Sequence, residues 1–160
     1  MPTLEINTRI KAGLKTCFDL ARYIDFYQKS SEHSSENAIA GKTSGLIELG
    51  EWVTWEAWHF GITQKLTSKI TEFESPIYFV DEMVRGAFKS FKHKHIFKES
   101  YDNKFDVHCT LLTDIFNFQS PFGVLGKLTN IIFLKRYMVN LLATRNALLR
   151  QKTEELLKIK

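Results

Sequence analysis

Apolar and polar residues alternate along much of the chain, and this pattern predicts β-strands placed between two helical regions. The first stretch, TLEINTRI, alternates Leu4 and Ile6 with Glu5 and Asn7 and predicts a first strand. The segment AGLKTCFDLARYIDFYQ has apolar residues at helical spacing and predicts one or two short helices. The following segment, KSSEHSSENAIAGKTSG, is polar and rich in glycine and serine, so it predicts a loop.

From Leu46 onward the period changes to strict alternation. LIELGEWVTWEAWHFG predicts a strand, a turn at Gly50-Glu51 and a second strand, and ITQKLTSKITEFES predicts a third. IYFVDEMVRG begins after Pro76, FKSFKHKHIFKE comes next, and FDVHCTLLTDIFNFQ is the last and longest. Six consecutive strands with short turns predict an antiparallel meander with one half-buried face.

A long helix is predicted from about Val124 to about Leu157, because glycine and proline are absent after Gly126 and apolar residues recur at helical spacing. Its length would be roughly 50 Å at ~1.5 Å per residue, enough to cross a curved sheet. The predicted inner face consists of Leu128, Ile131, Leu134, Met138, Leu141, Arg145 and Leu148. A helix laid across a curved sheet in this way can leave space between the two.

Composition limits the class of protein. The 160 residues are 44% hydrophobic, which predicts one globular domain over residues 1–160, and 13 phenylalanines predict aromatic walls around a core or cavity. The beginning of the chain has no apolar signal core, and Lys135 and Arg136 interrupt the longest apolar stretch, so we expect no transmembrane segment. Cys17 and Cys109 have no metal-like spacing, which favours reduced thiols in a cytoplasmic protein.

The net charge of +4 is concentrated near the end of the chain. Residues 127–160 contain eight Lys or Arg and two Glu, a net of +6, so the remainder carries −2. A solvated helix face and a nucleic-acid or membrane surface both explain this excess. Tyr137 and Phe133 would have to be exposed for base stacking, but they fit the buried pattern equally well, so we expect no nucleic-acid partner.

The order of elements, together with VTWEAWHFG, KITEFESPIYFVDEMVRGAFKSFKHKHIF, TLLTDIFNFQSPFGVLG and FLKRYMVNLLATRN, resembles the SRPBCC or START-like superfamily. Within it the chain is most similar to bacterial polyketide-cyclase-like, cell-division-inhibitor-like proteins. The resemblance implies an α+β helix-grip fold: a curved antiparallel sheet of about seven strands wrapped on a long C-terminal helix, with two short helices after strand 1. It transfers no catalytic motif.

Period-two spacing places Phe91, His93, His95 and Phe97 on one face of their strand and the intervening lysines in water. Asp114 shares a face with Leu112, Phe116 and Phe118 on the following strand, where a buried carboxylate needs a partner. We therefore predict His–Asp pairing across this hairpin. The histidines would serve as structural groups satisfied by Asp114 or backbone, as ligand hydrogen-bonding groups, or, least favoured, as metal ligands with His59 or Asp114 as the third.

At three further places the sequence leaves open which way a side chain points. Trp55 and His59 are predicted to face inward, against the competing pattern of Trp52 and Trp58. Asp81 and Glu82 must point to opposite faces, and the sequence does not decide which one is inward. Arg145 would either direct its head to solvent or a carboxylate, or anchor an acidic ligand group inside the cavity.

These features predict binding of a small, largely hydrophobic molecule between the sheet and the C-terminal helix. The alternative is a cyclase or dehydratase using a His–Asp acid–base pair in the same cavity, with His93, His95 and Asp114 as catalytic candidates. We expect no cofactor and no metal, and a homodimer is compatible with the sequence. The predicted ligand-binding residues are Trp55, His59, Phe91, His93, His95, Phe97, Leu112, Asp114, Phe116, Met138, Leu141 and Arg145.

Overall fold

The computed structural model describes residues 2–30, 36–59, 61–120 and 127–158, and within these the side chains of all but Ser30 and residues 127–130. In chain order the elements are β1 (Thr3–Ile10), α1 (Leu14–Ala21), α2 (Ile24–Ser30), β2 (Asn37–Gly41), β3 (Trp52–His59), β4 (Ile62–Glu74), β5 (Tyr78–Arg85), β6 (Ser90–Asp102), β7 (Val107–Gln119) and α3 (Lys127–Lys158). The predicted fold class, with two short helices after the first strand and a long helix at the end, is confirmed.

The seven strands form one sheet in the order β1-β7-β6-β5-β4-β3-β2, and every neighbouring pair is antiparallel. The meander from β2 to β7 follows the chain, and β1 closes on β7 at the far edge. The β4–β5 register shifts twice: Val84 of β5 is the extra residue opposite Thr67 and Ser68, and Thr71 of β4 is the extra residue between Ile70 and Glu72. Such bulges bend a strand. The helix α3 packs on β1 and on α1, so it covers the concave side of the sheet.

The second strand is not where the sequence predicts it. Residues 46–49 form no strand: Leu46 makes only an isolated bridge with Tyr23, and the Ile47 side chain is buried in the core. The edge strand β2 lies instead inside the segment predicted as a loop. Its alanines and asparagine have low strand propensity, and it pairs only with β3, so its pattern carries little signal.

The end of β2 depends on glycine. Gly41 has φ of 74°, and a Cβ added there would lie 2.3 Å from the backbone oxygen of Trp52. Only glycine adopts this positive φ readily and has no Cβ to collide with Trp52. This close approach ends β2 within a segment that the sequence predicts to be a loop.

The face of α3 that is buried against the sheet differs from the predicted one. Met138, Leu142, Asn146, Leu149 and Thr153 are its buried residues, so the face in contact with the sheet is rotated by about one position from the predicted one. The predicted residues Leu134, Leu141 and Arg145 are adjacent to that stripe and line a cavity with Met138. Residues 124–126, where the helix was predicted to begin, and the side chain of Leu128 lie outside the described part.

Two hydrophobic clusters flank the middle of the sheet. One is centred on Phe18, which packs edge-on against Phe73, Phe79 and Phe97. The second lies under the first half of α3 and contains Leu4, Phe91, Phe116, Phe118, Met138 and Leu142. The side chains between them on β6, β7 and α3 are polar.

Candidate functional site

A cavity of about 510 Å³ lies between the sheet and α3. Most of its wall is apolar, and Val53, Trp55, Ile70, Phe79 and Leu141 contribute to it. The polar residues of its lining include Asp81 on β5, His93 and His95 on β6 and Arg145 on α3, with others on β3 and β4. A volume of this size, with few convergent polar groups, is typical of small-molecule sites.

At the polar end, two histidines share one carboxylate. His95 lies directly opposite Asp114 in the β6–β7 ladder, and His93 lies opposite Phe116. The His93 Nε2 atom is 2.9 Å from Oδ1 of Asp114, and His95 Nδ1 is 2.7 Å from the same oxygen. The two imidazole rings lie against each other at an angle of 38°, with their centroids 3.8 Å apart. The structure therefore brings together the three residues that the sequence singled out for chemistry.

A second carboxylate completes this polar cluster, which we define as Asp81, His93, His95, Asp114 and Asn146. Asp81 on β5 points inward, so Glu82 takes the outer face, and Asp81 Oδ2 is 3.0 Å from His95 Nε2. Its partner is thus a histidine, whereas Arg85, four residues further along β5, is exposed. On α3, the Asn146 side-chain amide donates a hydrogen bond of 2.6 Å to Asp114 Oδ2.

The sequence alone identifies neither Asn146 as a member of the polar cluster nor Asp81 as the inward-facing carboxylate. The inward choice between Asp81 and Glu82 depends on strand register, which a single sequence does not supply. Asn146 carried a usable signal: it continues the four-residue spacing of Met138 and Leu142 on the buried side of α3. A polar residue on such a stripe needs a buried partner, and Asp114 is that partner.

The protonation states of the cluster follow from these contacts. Burial alone would lower the pKa of His95, but its contacts with Asp114 and Asp81 outweigh this effect and raise the pKa to about 9. For His93, burial and the neighbouring positive charge of His95 lower the pKa. Burial opposes ionisation of Asp114, yet the two histidines bring its pKa well below the usual range, and His95 and His93 lower that of Asp81. At neutral pH the cluster holds two carboxylates, one imidazolium and one neutral imidazole.

Because Asp114 is ionised, its oxygens can only accept hydrogen bonds. His93 is therefore protonated on Nε2, which donates to Asp114. The Nδ1 atom of neutral His93 is then a lone-pair acceptor. Its nearest carboxylate, Oδ2 of Asp81, is 3.9 Å away, and no described residue donates a hydrogen bond to it. Both nitrogens of His95 are already occupied by carboxylates. Of the two histidines in the polar cluster, His93 is consequently the one that offers a lone pair at the cavity wall.

The same residues could coordinate an ion. Asp81, His93 and His95 each offer one ligand atom, and these atoms lie within 4.8 Å of one another. His95 faces Asp114 with Nδ1 and Asp81 with Nε2, so an ion bound to His95 would have to displace one of the two N–H protons of its imidazolium. The expectation that the protein uses no metal stays a prediction.

The other predicted ligand-binding residues divide into three groups. Trp55, His59, Phe91, Phe116, Met138, Leu141 and Arg145 line the cavity together with His93 and His95. Leu112 borders only a small adjoining recess, and Asp114 is buried behind the histidines. Phe97 does not reach the cavity, because its ring is enclosed by Phe18 and Phe79 in the core.

At the opposite end of the cavity wall, His59 Nδ1 hydrogen-bonds the Tyr137 hydroxyl, which links β3 to α3. Trp52 and Trp58, the competing pattern on β3, are exposed. Burial raises the pKa of Tyr137, so its hydroxyl stays protonated at neutral pH. This pair connects the strand and the helix on the side of the cavity away from the polar cluster.

No protein-family model and no curated protein sequence matches this chain. Solved structures do resemble it over nearly its whole length. A START superfamily protein from Mycobacterium smegmatis superposes with a TM-score of 0.65 at 10% identity, covering 96% of this chain and 98% of that one. The protein TTHA0849 from Thermus thermophilus gives a TM-score of 0.63 at 15% identity, covering 96% and 94%.

The protein Ara h 8.0201 gives a TM-score of 0.67 at 10% identity, with 95% and 97% of the two chains covered. At such identities the likeness is one of fold, and it confirms the START-like helix-grip architecture. The narrower resemblance to a bacterial polyketide-cyclase-like subgroup stays a prediction. None of the helices in the described ranges combines the length and the apolar character needed to cross a bilayer. A cytoplasmic location stays a prediction.

Proposed function

We propose that this protein binds a small, largely hydrophobic molecule in the cavity between the sheet and α3. The observation that carries the proposal is the cavity itself: about 510 Å³, with mostly apolar walls and a few polar groups, among them Asp81, His93, His95 and Arg145. Such a site takes up the apolar body of a ligand and orients it through its polar end. The two flanking hydrophobic clusters leave this volume unfilled, although protein interiors are otherwise close-packed.

The proposal is tested by native mass spectrometry on protein purified from its own cells, followed by extraction and identification of the bound molecule. A stoichiometric apolar compound supports it. Protein that carries no such compound and takes up no apolar probe contradicts it.

A substitution that fills the cavity provides a matched test. Ala57 on β3 is buried at the cavity wall, and Ala57→Phe places a ring in the space a ligand would occupy. We expect the affinity for 1-decanol, measured by isothermal titration calorimetry, to fall at least tenfold. The folding free energy should change by no more than about 1–3 kcal/mol, the usual cost of added bulk.

The control is the same change at Ala147, which is exposed on α3. Ala147→Phe should bind 1-decanol like the unmodified protein. Equal affinities in all three proteins would place the binding outside the cavity.

The free lone pair on His93 supports a second candidate function, that of a cyclase- or dehydratase-type enzyme. A neutral imidazole held by a carboxylate can accept a proton from a carbon next to a carbonyl, giving an enolate and an imidazolium. Asp114 would position His93 and stabilise the imidazolium that forms. In this proposal His93 is the catalytic residue. His95, whose two nitrogens are both occupied by carboxylates, is a positively charged residue with a structural role.

This activity is tested with 1-phenyl-1,3-butanedione as the probe, by following exchange of its acidic C–H in D₂O by NMR. We expect exchange faster than in buffer alone and a loss of roughly 100-fold or more in His93→Gln, in line with the usual contribution of a general base. His108→Gln, at an exposed histidine on β7, is the control and should keep the rate. An exchange rate equal to that in buffer would contradict the enzymatic function and leave only the binding function.

A further inference from the structure

Two arginines line the cavity, and they differ in what surrounds them. Arg22 is enclosed by partners: its guanidinium lies 2.8 Å from Asp19, 3.1 Å from Glu48 and 3.2 Å from the carbonyl oxygen of Ile47. Arg145 on α3 differs. Among the described residues, no carboxylate lies within ion-pair distance of its guanidinium, and no carbonyl oxygen accepts a hydrogen bond from it. Its close contact is the face of the Tyr27 ring, whose centroid lies 4.4 Å from Cζ of Arg145.

The acidic groups nearest to Arg145 are already occupied. Asp81 and Asp114 form the hydrogen bonds and close contacts with His93, His95 and Asn146 described above. The Tyr27 hydroxyl donates to the carbonyl oxygen of Ala21. Glu36 also lines the cavity, and its negative charge raises the pKa of Arg145.

Arg145 nevertheless stays charged. Burial opposes the charge, but the fields of Glu36, Tyr27, Asp81 and Asp114 raise its pKa. A guanidinium has five N–H donors in a planar fork. No described side-chain nitrogen is both fully buried and unpartnered, so donors of Arg145 that have no protein acceptor face space that water or a ligand can occupy. The arrangement is favourable once a planar, singly charged anion enters the cavity and accepts from this fork.

We infer that the ligand is a hydrophobic monocarboxylate whose carboxylate binds Arg145 while its apolar body fills the cavity. This inference rests on the proposed binding function and adds the chemical class of the ligand. A carboxylate matches the two parallel N–H groups of the fork. A doubly charged phosphate fits less well, because Asp81 and Asp114, both ionised, belong to the same polar end.

The recess that adjoins the cavity supports this placement. It is bordered by Tyr27, His93, His95 and Arg145, so the guanidinium and the free lone pair of His93 lie at the same end. A ligand bound through its carboxylate would therefore direct its carboxyl end, and not its tail, to the polar cluster.

The test compares decanoate with 1-decanol, two probes of equal chain length that differ in the head group, by isothermal titration calorimetry at pH 7.5. Decanoate is fully ionised there, since carboxyl groups titrate near ~4. We expect the unmodified protein to bind decanoate 10- to 100-fold more tightly than 1-decanol. In Arg145→Met, which keeps much of the apolar stem, the preference should vanish while the affinity for 1-decanol stays within about twofold.

Arg145→Lys keeps the charge without the planar fork and should retain part of the preference. It also serves as the test variant if Arg145→Met does not fold, as judged by circular dichroism. Arg150→Met changes an exposed arginine on the same helix and should behave like the unmodified protein.

The outcomes separate the two proposals. Equal binding of decanoate and 1-decanol overturns the carboxylate inference and leaves the binding function intact. A preference for decanoate that survives in Arg145→Met also overturns it. If neither probe binds the unmodified protein, the result counts against the binding function itself.

Discussion

Asp114→Ala is expected to lower the free energy of unfolding by about 3–5 kcal/mol, the range found when one partner of a buried ion pair is removed. Asp114 is 1% exposed, accepts hydrogen bonds from His93 and Asn146 and forms an ion pair with His95. Without it the His95 imidazolium keeps only Asp81, and the Asn146 amide keeps only the longer hydrogen bond to the Thr8 hydroxyl. Urea unfolding followed by circular dichroism measures the loss.

The matched control is Glu99→Ala. Glu99 lies on the strand of the two histidines but is exposed, so its removal should change stability by no more than about 0.5 kcal/mol. A loss below about 1 kcal/mol for Asp114→Ala would mean that the protons rearrange when the carboxylate is gone and that the cluster carries little net energy.

Stability should depend on pH with a maximum near pH 6.5, because the two histidines act in opposite directions. The pKa of His95 is raised to about 9 in the folded protein, so its contribution is fully present below ~6.5 and is lost as the pH rises towards 9. The pKa of His93 is lowered, so its contribution is present above ~6.5 and is lost as the pH falls below that value. The lowered pKa values of Asp81 and Asp114 add a further loss below ~4.

The alkaline decline between pH 6.5 and 9 should amount to about 3 kcal/mol, because raising a pKa by one unit corresponds to roughly 1.4 kcal/mol. Cys17, with a pKa raised to about 11, adds its effect only above pH 9. Urea titrations across this range should show the decline in the unmodified protein and a nearly flat profile in His95→Gln. His108→Gln should keep the decline, and a slope unchanged by His95→Gln would assign it to other groups.

The fold was largely predictable because most strands have one buried face. Alternation in β1, β4, β6 and β7 identifies them directly, and their order along the chain gives the meander. The failure at β2 has a physical cause: Ala38 and Ala40 bury little surface, so the strand is held by backbone pairing and by the close approach of Gly41 to Trp52. The apolar run at Leu46 and Ile47 serves packing against the helices instead.

The site was predictable only within single strands and hairpins. The spacing of His93 and His95 and the isolation of Asp114 on an apolar face are local signals. The inward position of Asp81 depends on how β5 is aligned with β6, and that of Asn146 on how α3 is rotated over the sheet. Both are set by tertiary packing, so residues supplied by a third or fourth element cannot be identified from one sequence.

The polar residues between the two hydrophobic clusters also fix the alignment of α3 on the sheet. Apolar contacts are non-directional, and a helix displaced by one turn, about 5.4 Å, would still find phenylalanines beneath it. The same displacement would separate Asn146 from both Asp114 and Thr8 and leave a carboxylate oxygen and an amide without these partners inside the protein. Such a penalty selects one alignment among several of similar hydrophobic energy, as a single buried asparagine does between coiled-coil strands. Sliding the helix would break the hydrogen bonds of Asn146 with Asp114 and Thr8 and that of Tyr137 with His59, so these contacts help to keep the shape of the cavity.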